Sequence, residues 1–248
     1  MSSGISIRNV TFEYVKNIPA LTNISFEIKE GAFWGITGVN GSGKSTLSYL
    51  LNGLIPHQIK GRLTGDAVID GISTKTQNVA FFAQKVGLVF QNPDFSLFNL
   101  TVREELEFGL KNLGLHHQKK RLEWALEQVG MAGYINRDPQ TLSLGEKQKV
   151  SLACVLALDT KYIVLDEPAA QLDYKSSLEL YKILQKLNID GKTIITIEHD
   201  TDFLWQFTRE VLILDKGEII FNGPTKKILQ NKKRLQKLGI KVPNYDKA

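Results

Sequence analysis

Apolar residues near the start of the chain fall on alternate positions. Ile5 and Ile7, then Val10, Phe12 and Tyr14, then Ile24, Phe26 and Ile28 predict antiparallel strands, with a turn expected at Pro19. Ala32–Thr37 (A-F-W-G-I-T) is a short apolar run of strand type, and Leu47, Leu50, Leu51 and Leu54 then recur at helical spacing. Gly65–Asp70 and Val86–Phe90 add strands. From Thr101 the period becomes helical, opened by a capping-box pair, Thr101 and Glu104. A second helix is expected over about His117–Val129, stopped by Gly130, and a third after Ser143. Strands at Tyr162–Leu165 and Thr193–Ile197 then alternate with helices begun by Asp173 and after Asp200, and Val211–Leu214 and Glu218–Phe221 read as a hairpin around Lys216-Gly217. This alternation predicts an α/β fold with a mainly parallel sheet covered by helices, interrupted by a helical lobe over Thr101–Leu158. No internal repeat and no low-complexity linker is present.

Composition changes this picture little. At 248 residues, 42% hydrophobic and 23% charged, the chain suits a soluble globular protein of one large domain or two small ones. No run approaches the length of a membrane span, and the N-terminus M-S-S-G-I-S-I-R has no apolar signal core, so no secretory leader is expected. The single cysteine, Cys154, excludes an internal disulfide, fits a reducing compartment, and sits in an apolar helical run that predicts buried packing. The net charge of +5 is uneven: positions 225–248 hold eight Lys/Arg and one acid, so the remainder is slightly acidic. That run reads either as a solvated helix face or as a contact for acidic headgroups or an acidic partner. A body that is not basic, without interleaved aromatics, argues against nucleic-acid binding.

The chemistry lies elsewhere. Gly38–Thr46 reads G-V-N-G-S-G-K-S-T, a phosphate-binding P-loop between an apolar strand and a helix. Glycines let the backbone close on a phosphate and turn N–H groups inward at a helix N-terminus. Gly38, Asn40, Gly41, Ser42, Gly43, Lys44, Ser45 and Thr46 are the expected nucleotide-binding residues, with Lys44 reaching the β- and γ-phosphates and the Ser45 hydroxyl on Mg²⁺. His57, His116 and His117 have no surrounding Cys or carboxylate cluster, so no protein-ligated structural metal is expected.

Six further features follow in a fixed order. Tyr14 lies in F-E-Y-V-K ahead of the P-loop. Gln91 follows the strand V-G-L-V-F. Ser143 and Gly145 lie in L-S-L-G-E, Asp166 and Glu167 in I-V-L-D-E, Asp173 in Q-L-D, and His199 ends I-I-T-I-E-H. With the P-loop, this set resembles the ATP-binding cassette (ABC) family across nearly the whole chain. The resemblance implies a P-loop NTPase (RecA-like) core with an N-terminal antiparallel β subdomain and an inserted α-helical subdomain at about 92–158. It places an ATPase domain over 1–224 and a short basic helical tail over 225–248. It further implies ATP and Mg²⁺ as cofactors. Asp166 and Gln91 would join Ser45 at the metal, and Glu167 would accept a proton from the attacking water. His199 would contact the γ-phosphate, Tyr14 would stack on adenine, and Lys44 and Gln91 would assist catalysis. Asp173 would lie with the nucleotide site. Ser143 and Gly145 would act in trans, since two cassettes of this family meet head to tail.

Three positions depart from the family pattern: Leu144 where glycine is usual, Glu146 where glutamine is usual, and Gln171 where a small residue is usual. They imply that the ATP site receiving this signature is the weaker of two, as in a heterodimer of non-identical cassettes. Gln91–Gly114 (Q-N-P-D-F-S-L-F-N-L-T-V-R-E-E-L-E-F-G-L-K-N-L-G) is similar to the energy-coupling-factor and cobalt-type importer ATPases, apart from Phe95-Ser96. That resemblance implies a groove docking the coupling helices of an integral membrane subunit. It also implies a substrate-binding membrane subunit, a peripheral location on the cytoplasmic face of the cell membrane, and uptake of a vitamin or transition-metal ion. Two other readings are a soluble cassette ATPase of DNA repair or translation, and a regulatory ATP-binding module without turnover. The first lacks its coiled coil or tandem cassettes, and Glu167 and His199 argue against the second.

Overall fold

A computed structural model describes residues 3–115 and 119–247. The strands are β1 (Gly4–Val15), β2 (Ile18–Lys29), β3 (Phe33–Gly38), β4 (Arg62–Ile69), β5 (Ile72–Ser73), β6 (Val86–Val89), β7 (Tyr162–Asp166), β8 (Thr193–Ile197), β9 (Glu210–Asp215) and β10 (Glu218–Pro224). The helices are α1 (Lys44–Leu51), α2 (Leu54–His57), α3 (Val79–Ala83), α4 (Val102–Asn112), α5 (Lys119–Gln128), α6 (Leu144–Ala157), α7 (Tyr174–Ile189), α8 (Thr201–Phe207), α9 (Thr225–Leu229) and α10 (Lys232–Lys237). His116 and His117, and with them the expected start of the second helix, lie outside the described residues.

A six-stranded sheet in the order β10-β9-β3-β8-β7-β6 is parallel except for the β9–β10 hairpin. Its central strands are buried along their whole length, which only coverage of both faces allows. On β7, Ile163 and Leu165 join the core beneath α4–α7, while Tyr162 and Val164 join the core shared with α1 and the N-terminal sheet. The second sheet, in the order β2-β1-β4-β5, is antiparallel. In β2, Ile24, Phe26 and Ile28 are buried while Ser25, Glu27 and Lys29 are exposed, as period-two patterning requires.

The first turn is not at Pro19. It lies at Lys16-Asn17, with Val15 opposite Ile18 and Pro19 inside β2 opposite Glu13. Asn17 takes the left-handed φ of 67° that a tight hairpin favours, and its N–H donates to Glu13 Oε2 at 3.1 Å. Proline is tolerated there because β2 is an edge strand.

The helical lobe starts and stops where its caps dictate. The Thr101–Glu104 capping box is formed in both directions, and Gly130 takes a φ of 72° just past α5. At the other end of the chain, Leu229, Leu235 and Ile240 are buried against Leu204, Trp205, Val211 and Ile213. The basic run therefore packs against α8 and β9 with its apolar residues inward, and the Lys226 ammonium lies 3.8 Å from the centre of the Trp205 ring.

Candidate active site

The P-loop joins the C-terminal end of β3 to the N-terminus of α1. Gly38 and Gly43 adopt positive φ, and each lies against backbone: a side chain at Gly38 would run into the Leu214 carbonyl, and one at Gly43 would lie 2.6 Å from the Ala20 carbonyl oxygen. Lys44 is buried and curls back, its Nζ donating to the carbonyls of Gly38 (3.0 Å) and Val39 (3.1 Å). Burial lowers its pKa, against the charges of Glu167 and Asp166. The cation is thus held at the loop's centre on weak neutral acceptors, which a phosphate oxygen outcompetes.

Asp166 ends β7 on the face turned to α1. Burial first, and Glu167 second, raise its pKa, while hydrogen bonding from Ser45 pulls it down. Ser48 Oγ lies 3.5 Å from Oδ2, and Oδ1 is buried with no partner. An orphaned carboxylate oxygen beside the Ser45 hydroxyl is a set of donors whose chemistry suits a hard cation.

Glu167 follows with a left-handed φ of 50°, uncommon for a residue with a side chain. Its carboxylate is held from two sides: His199 Nε2 lies 2.8 Å from Oε1, and Gln91 Nε2 donates to Oε2 at 3.1 Å. Three residues far apart in sequence thus meet at the ends of β6, β7 and β8. Tyr14 stands half-exposed at the end of β1, its ring edge-on to Phe12 and its hydroxyl 3.0 Å from the Thr46 hydroxyl. The aromatic face therefore lies at the mouth of the P-loop.

The sequence model of the ABC transporter family matches residues 21–170. The chain belongs to the ABC transporter family. It is 41% identical over 243 residues to a putative ABC transporter ATP-binding protein of Pyrococcus abyssi, covering 96% of this chain and 87% of that one. It is 37% identical, again over 243 residues, to the energy-coupling factor transporter ATP-binding protein EcfA of Methanothermobacter thermautotrophicus, covering 96% of this chain and 76% of that one. Among solved structures, CbiO1 of Clostridium perfringens, described as part of the ABC transporter complex CbiONQ, matches with a TM-score of 0.84 at 30% identity, covering 96% of this chain and 95% of that one. The cassette MJ0796, solved as a dimer in a post-hydrolysis state with ADP and phosphate, matches with a TM-score of 0.77 at 30% identity, covering 89% and 98%. The chain is the ATP-binding, ATP-hydrolysing subunit of an ABC transporter.

In this cassette the signature residues stand apart from the P-loop. No hydrogen bond or ion pair among the described residues joins Ser143, Gly145 or Asp173 to Lys44, Asp166, Glu167 or His199. Ser143 caps α6 and Asp173 caps α7, and the two helix starts adjoin: a side chain at Gly145 would lie 3.3 Å from Ser176 Oγ. Asp173 accepts from the Ser176 N–H and hydroxyl, which lower its pKa. Glu146, one of the departures from the family pattern, turns back on its own helix. Its Oε2 accepts from Ser143 N (2.8 Å) and Oγ (2.9 Å), its Oε1 accepts from the Tyr134 hydroxyl (2.8 Å), and these bonds lower its pKa.

Sequence reasoning missed the contacts that tie α6 to the segment after β6. Gln148 donates to the Phe90 carbonyl (3.3 Å), Lys147 Nζ pairs with Asp94 (2.6 Å), and Ser96 and Ser151 hydroxyls meet at 3.2 Å. It also missed Glu198. Its signal in the sequence is a carboxylate in the otherwise uncharged run I-I-T-I-E.

Proposed function

We propose that this cassette is the ATPase of an energy-coupling-factor-type importer, driving uptake of a vitamin or a transition-metal ion through integral membrane partners. The likeness to EcfA and to CbiO1 supports the subgroup. The observation that carries the reading is an apolar groove of about 340 Å³ between β6, α4 and α6. Phe95 and Phe98 stand 86% and 61% exposed around it, beside a half-exposed Phe108, and Leu100 follows in the same segment, 80% exposed. Exposed apolar clusters of this kind mark interaction sites, and a membrane subunit's coupling helix fits the groove. Leu97, in the same segment, is buried in the lobe's core. Phe90 and Phe95, on either side of Gln91, both line the groove, so a docked helix and the Glu167 carboxylate share one segment of chain. Membrane docking places the subunit on the cytoplasmic face; among the described residues no helix is long and apolar enough to cross a bilayer.

Within the site, Lys44 and the P-loop amides bind the β- and γ-phosphates, and Tyr14 stacks on adenine. Ser45, Gln91 and Asp166 would hold Mg²⁺, which would neutralise phosphate charge. Glu167 takes the proton of the attacking water and His199 orients the γ-phosphate. A second cassette, in head-to-tail arrangement and non-identical in sequence, lends its signature to this P-loop while Ser143 and Gly145 serve its own. Changing Phe95 and Phe98 together to Ser tests the docking. Release from membranes with ATP binding by the isolated chain intact is expected; a variant that stays membrane-bound and coupled would place docking elsewhere.

A further inference from the structure

Glu198 precedes His199 and continues the sheet, its N–H donating to the Ile36 carbonyl at 2.9 Å. Its side chain is buried on the face toward α7, at 2% exposure. One oxygen, Oε1, accepts two neutral donors: the Tyr181 hydroxyl at 2.9 Å and the Ala169 N–H at 3.3 Å. Tyr181 is itself immobilised, its ring stacked on Phe203 at 4.7 Å and its hydroxyl 2.9 Å from Thr196 Oγ1.

Ala169 lies two residues after Glu167, in the turn that Glu167 enters with left-handed backbone. Such a conformation persists only where its surroundings over-determine it. Four bonds hold this turn. Glu167 N–H donates to the Ile197 carbonyl (3.0 Å), Ala170 N–H to the Glu167 carbonyl (3.1 Å), Leu172 N–H to the Ala169 carbonyl (3.1 Å), and Ala169 N–H to Glu198. Three are main-chain bonds; the fourth belongs to a side chain and is open to substitution.

We propose that Glu198 is a positioning residue for ATP hydrolysis: its buried carboxyl fixes the turn that aims Glu167, and with it the Glu167–His199 contact. The proposal rests on the reading of Glu167 as the base. Positioning errors of about 1 Å cost on the order of 100-fold in rate. The groups that face Glu198 are Tyr181 from α7, Glu167 from the turn, and His199 and Asp200 from its own loop, with Asp200 paired to Lys241 at 2.6 Å. Burial above all, then the charges of Glu167 and Asp200, push Glu198 up to about 8 against the bonds from Tyr181 and Ala169. At neutral pH it is a neutral acid, which glutamine matches in shape and charge. Above that range, ionisation sets a second negative charge beside Glu167.

The test compares ATP hydrolysis by the assembled transporter carrying wild-type chain, Glu198→Ala, Glu198→Gln or Glu167→Gln. Glu198→Ala should lower kcat by roughly 10- to 100-fold with KM nearly unchanged. Glu198→Gln should restore kcat at pH 7 to within about twofold, yet lose the wild type's decline above pH 8. Wild-type kcat in Glu198→Ala, a loss appearing in KM alone, or an unchanged alkaline limb in Glu198→Gln would each overturn the proposal. Should Glu198→Ala fail to fold, the pH profile of Glu198→Gln still decides. Normal turnover by Glu167→Gln would instead sink the reading of Glu167, whereas an inactive Glu167→Gln beside a fully active Glu198→Ala would remove only the positioning role.

Discussion

His199 Nε2 and Glu167 Oε1 are 2.8 Å apart, although 32 positions separate them in the chain. They meet because β7 and β8 are parallel neighbours in register, Asp166 opposite Ile197, so both strands deliver the next residues to the same edge. Gln91, from the end of β6, completes the clasp on the other carboxylate oxygen.

Two substitutions at this edge should separate binding from chemistry. Lys44→Ala removes the buried cation and should weaken ATP binding. Glu167→Gln keeps the shape, and nucleotide affinity should stay at the wild-type level while hydrolysis slows by at least ~100-fold, leaving a long-lived closed dimer. Equilibrium ATP binding and single-turnover hydrolysis check both; wild-type turnover by Glu167→Gln would refute the assignment.

Tyr14 offers a ring face and a hydroxyl, and the hydroxyl is engaged with Thr46. Tyr14→Ala should lose ~1–3 kcal/mol of nucleotide affinity, for ATP and GTP alike, because a π-face does not read base edges. Tyr14→Phe keeps the face and should retain most of that affinity. Titration calorimetry with both nucleotides discriminates: a phenylalanine variant as weak as the alanine one would mean that the Thr46 contact, and not stacking, is what matters.

At the signature, Glu146 closes a capping box on Ser143. Glu146→Gln can still accept those bonds and should leave stability nearly unchanged, whereas Glu146→Ala should cost about 1 kcal/mol. Replacing Leu144 by Gly together with Glu146 by Gln should alter turnover only at the composite site that uses this signature, with the affinity of this chain's own P-loop unaltered. Denaturant titration and turnover of the assembled pair measure the two effects; identical turnover would show the departures to be neutral.

Glu198 also makes stability depend on pH. Its folded pKa of about 8 exceeds the ordinary 4.5. The unfolded chain therefore gives up this proton first, so the stability the neutral carboxyl contributes is full below pH 4.5 and falls as pH rises toward 8. The slope is that of one proton, ~1.4 kcal/mol per pH unit at most. Glu198→Gln should flatten the stability of the chain between pH 5 and 8 relative to wild type. Parallel unfolding curves for the two proteins across that range would contradict it.

The chain announced its fold through local signals. Period two gave the N-terminal sheet, the run I-V-L-D gave a strand buried on both faces, and Thr101, Ser143 and Gly130 marked helix ends, because these depend on neighbours a few residues away. Pro19 reads as a turn in the sequence because proline suits both a turn and an edge strand, and only the pairing of Val15 with Ile18 distinguishes them.

The sequence by itself determined which chemistry is present: a P-loop lysine and serine, paired carboxylates ending a strand, a histidine ending the next, and a serine opening a helix. Tertiary structure alone decided how these groups hold one another. It set Gln91 and His199 on the two oxygens of Glu167, turned Glu146 back onto Ser143, buried Leu97 while exposing Phe95 and Phe98, and placed Glu198 behind the turn that follows Glu167. Side-chain direction and burial depend on strand order and helix packing, contacts between residues tens of positions apart, and a linear pattern carries no record of which distant donor a buried oxygen meets.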